Sequence, residues 1–292
     1  MKVGCVILNY NDFENTDAQL KRISGYGIWE GIVVVDNRSS DDSFEKLKEA
    51  WQGRERVFLI RTAENKGYGA GNNAGIWYAC DVLGCTHVVI ANPDTHFTEQ
   101  CVTIMAKAAA AREEIGVVAA TMVDSSNGSQ ASGWRLLSFT EELLNTGPVC
   151  RRLFRKRLNG PAGYGQGKKA VYVDAVHGSM LMVDGKKMKE CGGYDERVFL
   201  YGEENILAQR MKALGYRTVQ LKNVTYRHEN SASISKTYSD IARRQKLRHE
   251  SAMFYYKHYL HIPRIQDLAA RAFFGAGMAE VWFCSRILGM RW

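Results

Sequence analysis

The sequence predicts an α/β protein on a mostly parallel, doubly wound sheet with helices on both faces, and three observations carry that expectation. Short β-rich runs alternate with helical patterns through the first 121 residues. The runs are dense in β-branched residues, as strands buried on both faces require, and Ile32-Val33-Val34-Val35 is the plainest example. Four successive runs also end in Asn, Asp, Ser or Gly, at the edge where sheets of this kind bind their ligands.

Taken in order, Lys2–Leu8 reads as a strand, Phe13–Ser24 as a helix and Gly31–Asp36 as a strand. Asp42–Ala50 reads as a helix with Ser40 or Asp41 as its N-cap. Val57–Arg61 is a strand, Gly69–Leu83 a helix, His87–Ala91 a strand, Glu99–Arg112 an Ala-rich helix and Gly116–Thr121 a strand. Residues 122–170 look irregular, with many Gly, Ser and basic residues. Val171–Val176 and Ser179–Val183 return to β character. Glu203–Leu214 is a helix stopped by Gly215, Arg217–Leu221 a short strand, and a β-like segment ends at His228. From about Thr237 the chain is helical again. This divides it into 1–121, a first sheet half; 122–235, a second half; and 236–292, a helical C-terminal extension.

Composition excludes several classes. At 292 residues, 46% hydrophobic and 24% charged, the chain is neither disordered nor fibrous. Seven scattered cysteines without a Cys-x-x-Cys pair argue against a disulfide framework or structural zinc, and for a reducing, cytoplasmic setting. The first residues lack the pattern of a signal peptide, and no window has the length of a membrane-spanning helix. The net charge of +8 is uneven: residues 1–130 carry −5 and residues 131–292 carry +13. The basic excess concentrates in Arg151–Arg157 and Arg243–Arg248, which points to an anionic acceptor or a lipid surface rather than to nucleic acid.

The strand ends carry the chemistry. They read Asn9-Tyr10-Asn11; Asp36-Asn37-Arg38-Ser39-Ser40-Asp41; Asn65-Lys66-Gly67 running to Gly75; and Asn92-Pro93-Asp94. One such end is commonly a turn cap. Four at one sheet edge make a polar cradle suited to a nucleotide or a sugar. A dinucleotide fingerprint is excluded, because Gly69-x-Gly71 is followed by Ala74 and comes after the third strand.

Val33–Ser43, Asn65–Gly75, Asn92-Pro93-Asp94 and Gly192-Gly193-Tyr194-Asp195-Glu196 resemble the motifs of family 2 glycosyltransferases of the GT-A fold. So does Phe199-Leu200-Tyr201-Gly202-Glu203-Glu204, with Arg210 following. The resemblance covers roughly residues 1–230, and its flavour is that of the bacterial rhamnosyltransferase-like group. It implies inverting transfer of a sugar from a nucleotide-diphosphate donor to a hydroxyl of a glycan or polyprenyl-diphosphate-linked acceptor, in bacterial surface polysaccharide and cell wall synthesis. It implies a divalent cation, Mg2+ or Mn2+, at Asp94 and His228, and Glu204 as general base. Asn9, Asn11, Asp36, Asn65, Gly67, Asn72, Asn92 and Asp94 would line the nucleotide sugar, with Asp36 on the base. Gly178, Ser179 and Glu203 would face the acceptor or donor sugar. Asn92 stands where the family usually has a first acidic residue, and Ile206 where it often has a further Asp. Deoxythymidine-diphosphate-rhamnose is the leading donor and a uridine-diphosphate hexose the second. A sugar nucleotidyltransferase and a non-catalytic glycan-binding protein are the alternatives of other classes.

In the C-terminal stretch Phe274, Met278, Val281, Trp282 and Leu288 share one helical stripe, punctuated by Arg264, Arg271, Arg286 and Arg291. The stripe suits packing against the body, a homodimer contact, or peripheral attachment to the cytoplasmic face of a membrane.

Overall fold

A computed structural model describes residues 1–123, 132–146, 148–158, 169–229 and 241–286. The first βα stretch comprises β1 (Val3–Asn9), α1 (Phe13–Ile23), β2 (Trp29–Asp36), α2 (Ser43–Trp51), β3 (Val57–Arg61), α3 (Tyr68–Asp81) and β4 (His87–Ala91). It continues with β5 (Thr95–His96), α4 (Glu99–Ala109) and β6 (Ile115–Val123). The middle holds β7 (Gly133–Trp134), α5 (Phe139–Leu144), α6 (Pro148–Leu153), α7 (Arg155–Leu158), β8 (Ala170–Val173) and β9 (Ala175–Val176). Then come β10 (Met180–Asp184), α8 (Gly185–Glu190), α9 (Glu203–Ala213), β11 (Arg217–His228), α10 (Ile241–His258) and α11 (Arg264–Arg286).

The main sheet runs β3-β2-β1-β4-β10-β6-β11-β5, with β8 also paired to β11. β1, β2, β3, β4, β6 and β11 point the same way, while β10 lies antiparallel between β4 and β6. The sheet is therefore mixed, with its parallel strands in the majority. Successive side chains alternate between two cores. Cys5, Ile7 and Val34 face α1, α2 and α4 together with Leu20, Leu47 and Met105. Val6, Val33 and Val35 face α3 and α9 with Ile76, Leu207 and Met211.

The glycines of α3 work by closeness rather than by a fingerprint. A Cβ on Gly71 would sit 2.4 Å from Leu8 Cδ1, and one on Gly75 would sit 2.5 Å from Val6 Cγ1. Only bare backbone lets this helix lie so near β1.

Three expectations need correction. The irregular stretch after residue 121 contains short helices, and α5 opens with a capping box of Ser138 and Glu141 that was legible as Ser-x-x-Glu. The residue before α2 is Asp42, whose side chain makes no capping bond, while the expected Asp41 still serves the helix start by accepting from the Ser43 N–H at 3.0 Å. The strand beginning at Arg217 does not stop at Leu221. It runs to His228, and its register on β6 jumps between Leu221 and Thr225. That bulge interrupts the hydrophobic pattern and re-aims the strand's last residues.

A third core joins the C-terminal helices to the body: Ile206, Val198 and Leu143 pack with Tyr255, Tyr256, Ala270 and Phe274. Phe274 of the predicted stripe is thus a packing residue, and Met278 is half-buried. The side chains of Val281 and Trp282, and all of Leu288 and Arg291, lie outside the described residues, as does the segment 237–240.

Candidate active site

Parallel strands bring their C-terminal ends to one edge, so Asn9, Asp36, Arg61, Asn92 and His228 arrive there together. β10 runs the other way and starts at that edge, which adds residues 177–179. α3 and α9 begin beside it.

Asn9 and Asp36 are fully buried and bonded to each other, Asn9 Nδ2 donating to Asp36 Oδ1 at 2.9 Å. Ser39 donates its N–H and its hydroxyl to the Asp36 carboxylate, and Arg61 Nε lies 3.0 Å from Asp36 Oδ2. Asp36 is therefore occupied from both sides and frames the loop after β2. Asn11, in the left-handed region at φ 52°, accepts at Oδ1 from the Ser40 N–H at 2.8 Å and ties the first two loops together.

The loop before α3 is locked in the same manner. Asn65 Oδ1 accepts from Asn37 Nδ2 and from the Gly67 N–H, both at 2.9 Å. Gly67 has φ +98°, and a Cβ there would lie 2.0 Å from the Phe199 carbonyl oxygen. Asn72 is buried in α3, with Nδ2 donating to the Tyr68 carbonyl and Oδ1 without a partner among the described residues. The neighbouring Asn73 clamps the Gly192–Glu196 turn, accepting from the Tyr194 N–H at 2.9 Å and donating to the Tyr194 carbonyl and to Glu196.

Beyond β4, the Asn92 N–H donates to the Ser179 carbonyl at 2.8 Å, and the turn delivers Asp94. The carboxylate of Asp94 meets His228, with Nε2 at 3.2 Å from Oδ1. His228 Nδ1 is buried with no hydrogen-bond partner among the described residues. The His177 ring lies 5.6 Å from that of His228. Its Nδ1 accepts from the Ser179 N–H at 3.2 Å, which assigns the ring proton to Nε2. Burial lowers the His177 pKa, Glu204 opposes that shift and His228 adds to it, so the neutral ring is favoured. Ser179 Oγ is 2.7 Å from the Tyr226 hydroxyl, which ties this loop to the bulged end of β11.

Glu203 and Glu204 open α9, where the helix dipole favours negative charge. The turn before them holds Tyr201 at φ 72° and Gly202 at φ 80°, and a non-glycine residue in that region is a strained one. The Gly178 N–H donates to Glu204 Oε1 at 3.3 Å, while the Gly178 carbonyl accepts from the Tyr68 hydroxyl at 2.7 Å. Gly178 thus acts through its backbone, and a Cβ there would meet Glu204 Oε1 at 3.2 Å. Burial first, and Glu204 second, push the Glu203 carboxyl well above the usual range.

The C-terminal helices grip the same loop. Ser251 Oγ donates to the Leu200 carbonyl at 2.7 Å, and Arg248 lies 4.8 Å from the centre of the Tyr201 ring. Tyr259 donates to Asp195 Oδ2 at 2.7 Å and accepts from Arg210 Nε at 2.8 Å. Ile206 is fully buried in the core these helices form, which explains an apolar residue at that position.

The structure brings Asp94, His228, Gly178, Ser179, Glu203 and Glu204 together at one sheet edge, with Asn9, Asn11, Asp36, Asn65, Gly67 and Asn72 in the neighbouring loops and helix start. Arg61, Asn73 and Tyr68 were not singled out from sequence. Tyr68 and Asn73 had a signal, since both lie within the Asn65–Gly75 motif. Among the described residues no group of three or more His, Cys, Asp or Glu forms a closed metal cage.

The mixed sheet and the edge that carries the site define a GT-A glycosyltransferase fold. Residues 5–173 match the family described as Glycosyl transferase family 2, and the chain belongs to that family. It is 30% identical over 203 residues to the low-salt glycan biosynthesis hexosyltransferase Agl10 of Haloferax volcanii, covering 69% of this chain and 59% of that relative's length. It is 24% identical over 217 residues to N-acetylglucosaminyl-diphospho-decaprenol L-rhamnosyltransferase of Mycobacterium tuberculosis, covering 70% of this chain and 68% of the relative. Among solved structures it resembles the Pyrobaculum calidifontis mannosyltransferase in complex with GDP-Man and Mn2+ (TM-score 0.60, 14% identity, 98% of this chain and 75% of the other). It also resembles S. aureus TarS 1-349 in complex with UDP-GlcNAc (TM-score 0.54, 12% identity, 95% and 82%).

Proposed function

We propose that the chain is an inverting glycosyltransferase that moves a sugar from a nucleotide-diphosphate donor to a hydroxyl of a glycan or polyprenyl-diphosphate-linked acceptor in cell-surface polysaccharide synthesis. The observation that carries this reading is the pairing of Asp94 with His228 at the sheet edge, linked through residues 177–179 to Glu204.

A divalent cation fits this pair. One carboxylate and one imidazole make two protein donors, which leaves the remaining positions to water and to donor phosphates, as Mg2+ or Mn2+ prefers. Asp94 and His228 would hold it, and when bound it neutralises charge on the departing diphosphate. The protein supplies the rest. The polar loops after β1 and β2, framed by Asn9 and Asp36, position the nucleotide. Glu204 takes the proton from the acceptor hydroxyl as that oxygen bonds to the anomeric carbon and the nucleoside diphosphate leaves from the opposite face. The Gly178 N–H orients the Glu204 carboxylate. His177, with its proton on Nε2, offers a neutral donor toward the substrates.

Deoxythymidine-diphosphate-rhamnose is the donor we favour, with a uridine-diphosphate hexose second; the relatives' names support both sugar classes. A lipid-linked acceptor sets the reaction at the cytoplasmic face of a membrane. Thermal shift against a panel of nucleotide sugars, with and without Mn2+, tests the reading. Stabilisation by one donor that requires the metal supports it, and no response to any donor overturns it.

A further inference from the structure

Among the described residues, the basic segment after residue 147 makes no hydrogen bond or ion pair with the site residues named above. Residues 148–158 contain five Lys and Arg and no acidic residue. On α6 and α7, Arg151, Arg152 and Arg155 are exposed and make no ion pair among the described residues. Interleaved with them stand Val149, Leu153 and Phe154, each large, apolar and exposed. α6 lies against α11, where the Val149 N–H donates to Glu280 Oε1 at 2.8 Å. α11 buries Ala270 and Phe274 and turns Ile265, Leu268, Ala272, Phe273 and Ala276 outward. Exposure of the large apolar residues on these two elements runs from 39% at Phe273 to 76% at Ile265.

Monomeric proteins rarely leave so much apolar surface uncovered without a partner for it. The charge says which partner. The described acidic residues of α11 are already engaged, Asp267 with Lys257 and Arg271, and Glu280 with the Val149 N–H. α6 and α7 are therefore cationic and apolar at once and α11 beside them is apolar outward, which is the composition of interfacial helices on anionic lipid. A two-fold contact with a second copy that used this face would set the five-cation segment against itself.

We propose that α6, α7 and the outward face of α11 form a docking surface for an anionic lipid bilayer. Leu153, Phe154, Ile265 and Leu268 enter the headgroup region, and Arg151, Arg152 and Arg155 pair with lipid phosphates. No described helix is long and apolar enough to cross the membrane, and these elements would lie on its surface. The proposal rests on the lipid-linked acceptor reading for its purpose only. Its test measures binding without turnover, so either can fail alone.

The test is co-sedimentation of the full chain with vesicles of phosphatidylcholine alone and of phosphatidylcholine containing a third phosphatidylglycerol. Binding is expected only to the anionic vesicles, and it should weaken as salt is raised. Arg151→Ala with Arg152→Ala should weaken binding by about fivefold per charge removed. Leu153→Glu with Phe154→Glu, and separately Ile265→Glu with Leu268→Glu, should each lower it by more than about tenfold. These positions are exposed, and unchanged thermal melts would show that the variants fold. Equal binding by wild type and variants overturns the proposal, as does absence of binding to anionic vesicles. A dimer in light scattering that Leu268→Glu dissociates, with no vesicle binding, assigns the face to a second copy instead.

Discussion

His228 Nε2 stands 3.2 Å from Asp94 Oδ1, although one residue ends β11 and the other follows β4 with β10 and β6 between them in the sheet. The bulge in β11 makes the meeting possible. Past Leu221 the strand skips three residues before pairing again, and its tail then crosses the sheet edge to pair with β5, His228 opposite Thr95. A carboxylate and an imidazole gathered from two loop ends in this way offer two donors to the proposed cation. Asp94→Asn and His228→Ala should each weaken Mn2+-dependent binding of a nucleoside diphosphate by about 10–100-fold in calorimetry, with metal-free binding unchanged.

If Glu204 is the base, as proposed, it separates chemistry from binding. Glu204→Gln keeps the hydrogen bond from Gly178 and the shape of the first turn of α9, but would remove the proposed proton acceptor. Its kcat should fall by about 10²–10⁴-fold while KM for the donor stays within about twofold. A parallel rise in KM would mean that Glu204 holds substrate rather than the proton.

Asp195 anchors the turn before the loop that carries Glu203 and Glu204. Burial alone would raise its carboxyl, but Arg197, Tyr259 and Arg210 outweigh that and hold it well below the usual carboxylate range. Its contribution is therefore present above the unfolded carboxylate pKa and is lost as pH falls toward the depressed folded value. Asp195→Ala leaves Arg210 half-buried without its partner and should cost about 3 kcal/mol at pH 7. In urea unfolding at low pH the deficit should shrink.

Glu142 works in the opposite direction. Burial, with Glu141 adding to it, raises its pKa from 4.5 to about 7. The folded state then holds a proton that the unfolded chain has released, so stability declines as pH rises from about 4.5 to about 7 and levels off above that. Glu142→Gln should remove this slope, raising Tm by a few degrees at pH 8 and leaving it unchanged at pH 4.5.

Much of this was legible because the first βα units obey simple periodicities. Ile32–Val35 could be little other than a buried strand, and the polar strand ends had to meet at one edge once the strands were parallel. What sequence concealed were the non-local events. The antiparallel insertion of β10 looks like any other apolar run, and the bulge in β11 reads as the end of a strand. The ties of Asp36 to Asn9, Ser39 and Arg61 depend on three loops folding against each other. The grip of α10 on residues 195–201 joins segments with no shared motif, and Ile206 looked like a missing Asp until its apolar neighbours were in place.

The central claim is that Glu204 and the Asp94–His228 pair perform transfer from a nucleotide-diphosphate donor. Nucleoside diphosphate release, measured with donor, Mn2+ and a polyprenyl-diphosphate-linked acceptor, tests it most directly. Release should require both the metal and the acceptor, and should nearly vanish in Glu204→Gln and in Asp94→Asn. Undiminished release in either variant, or release indifferent to the metal, would contradict the account.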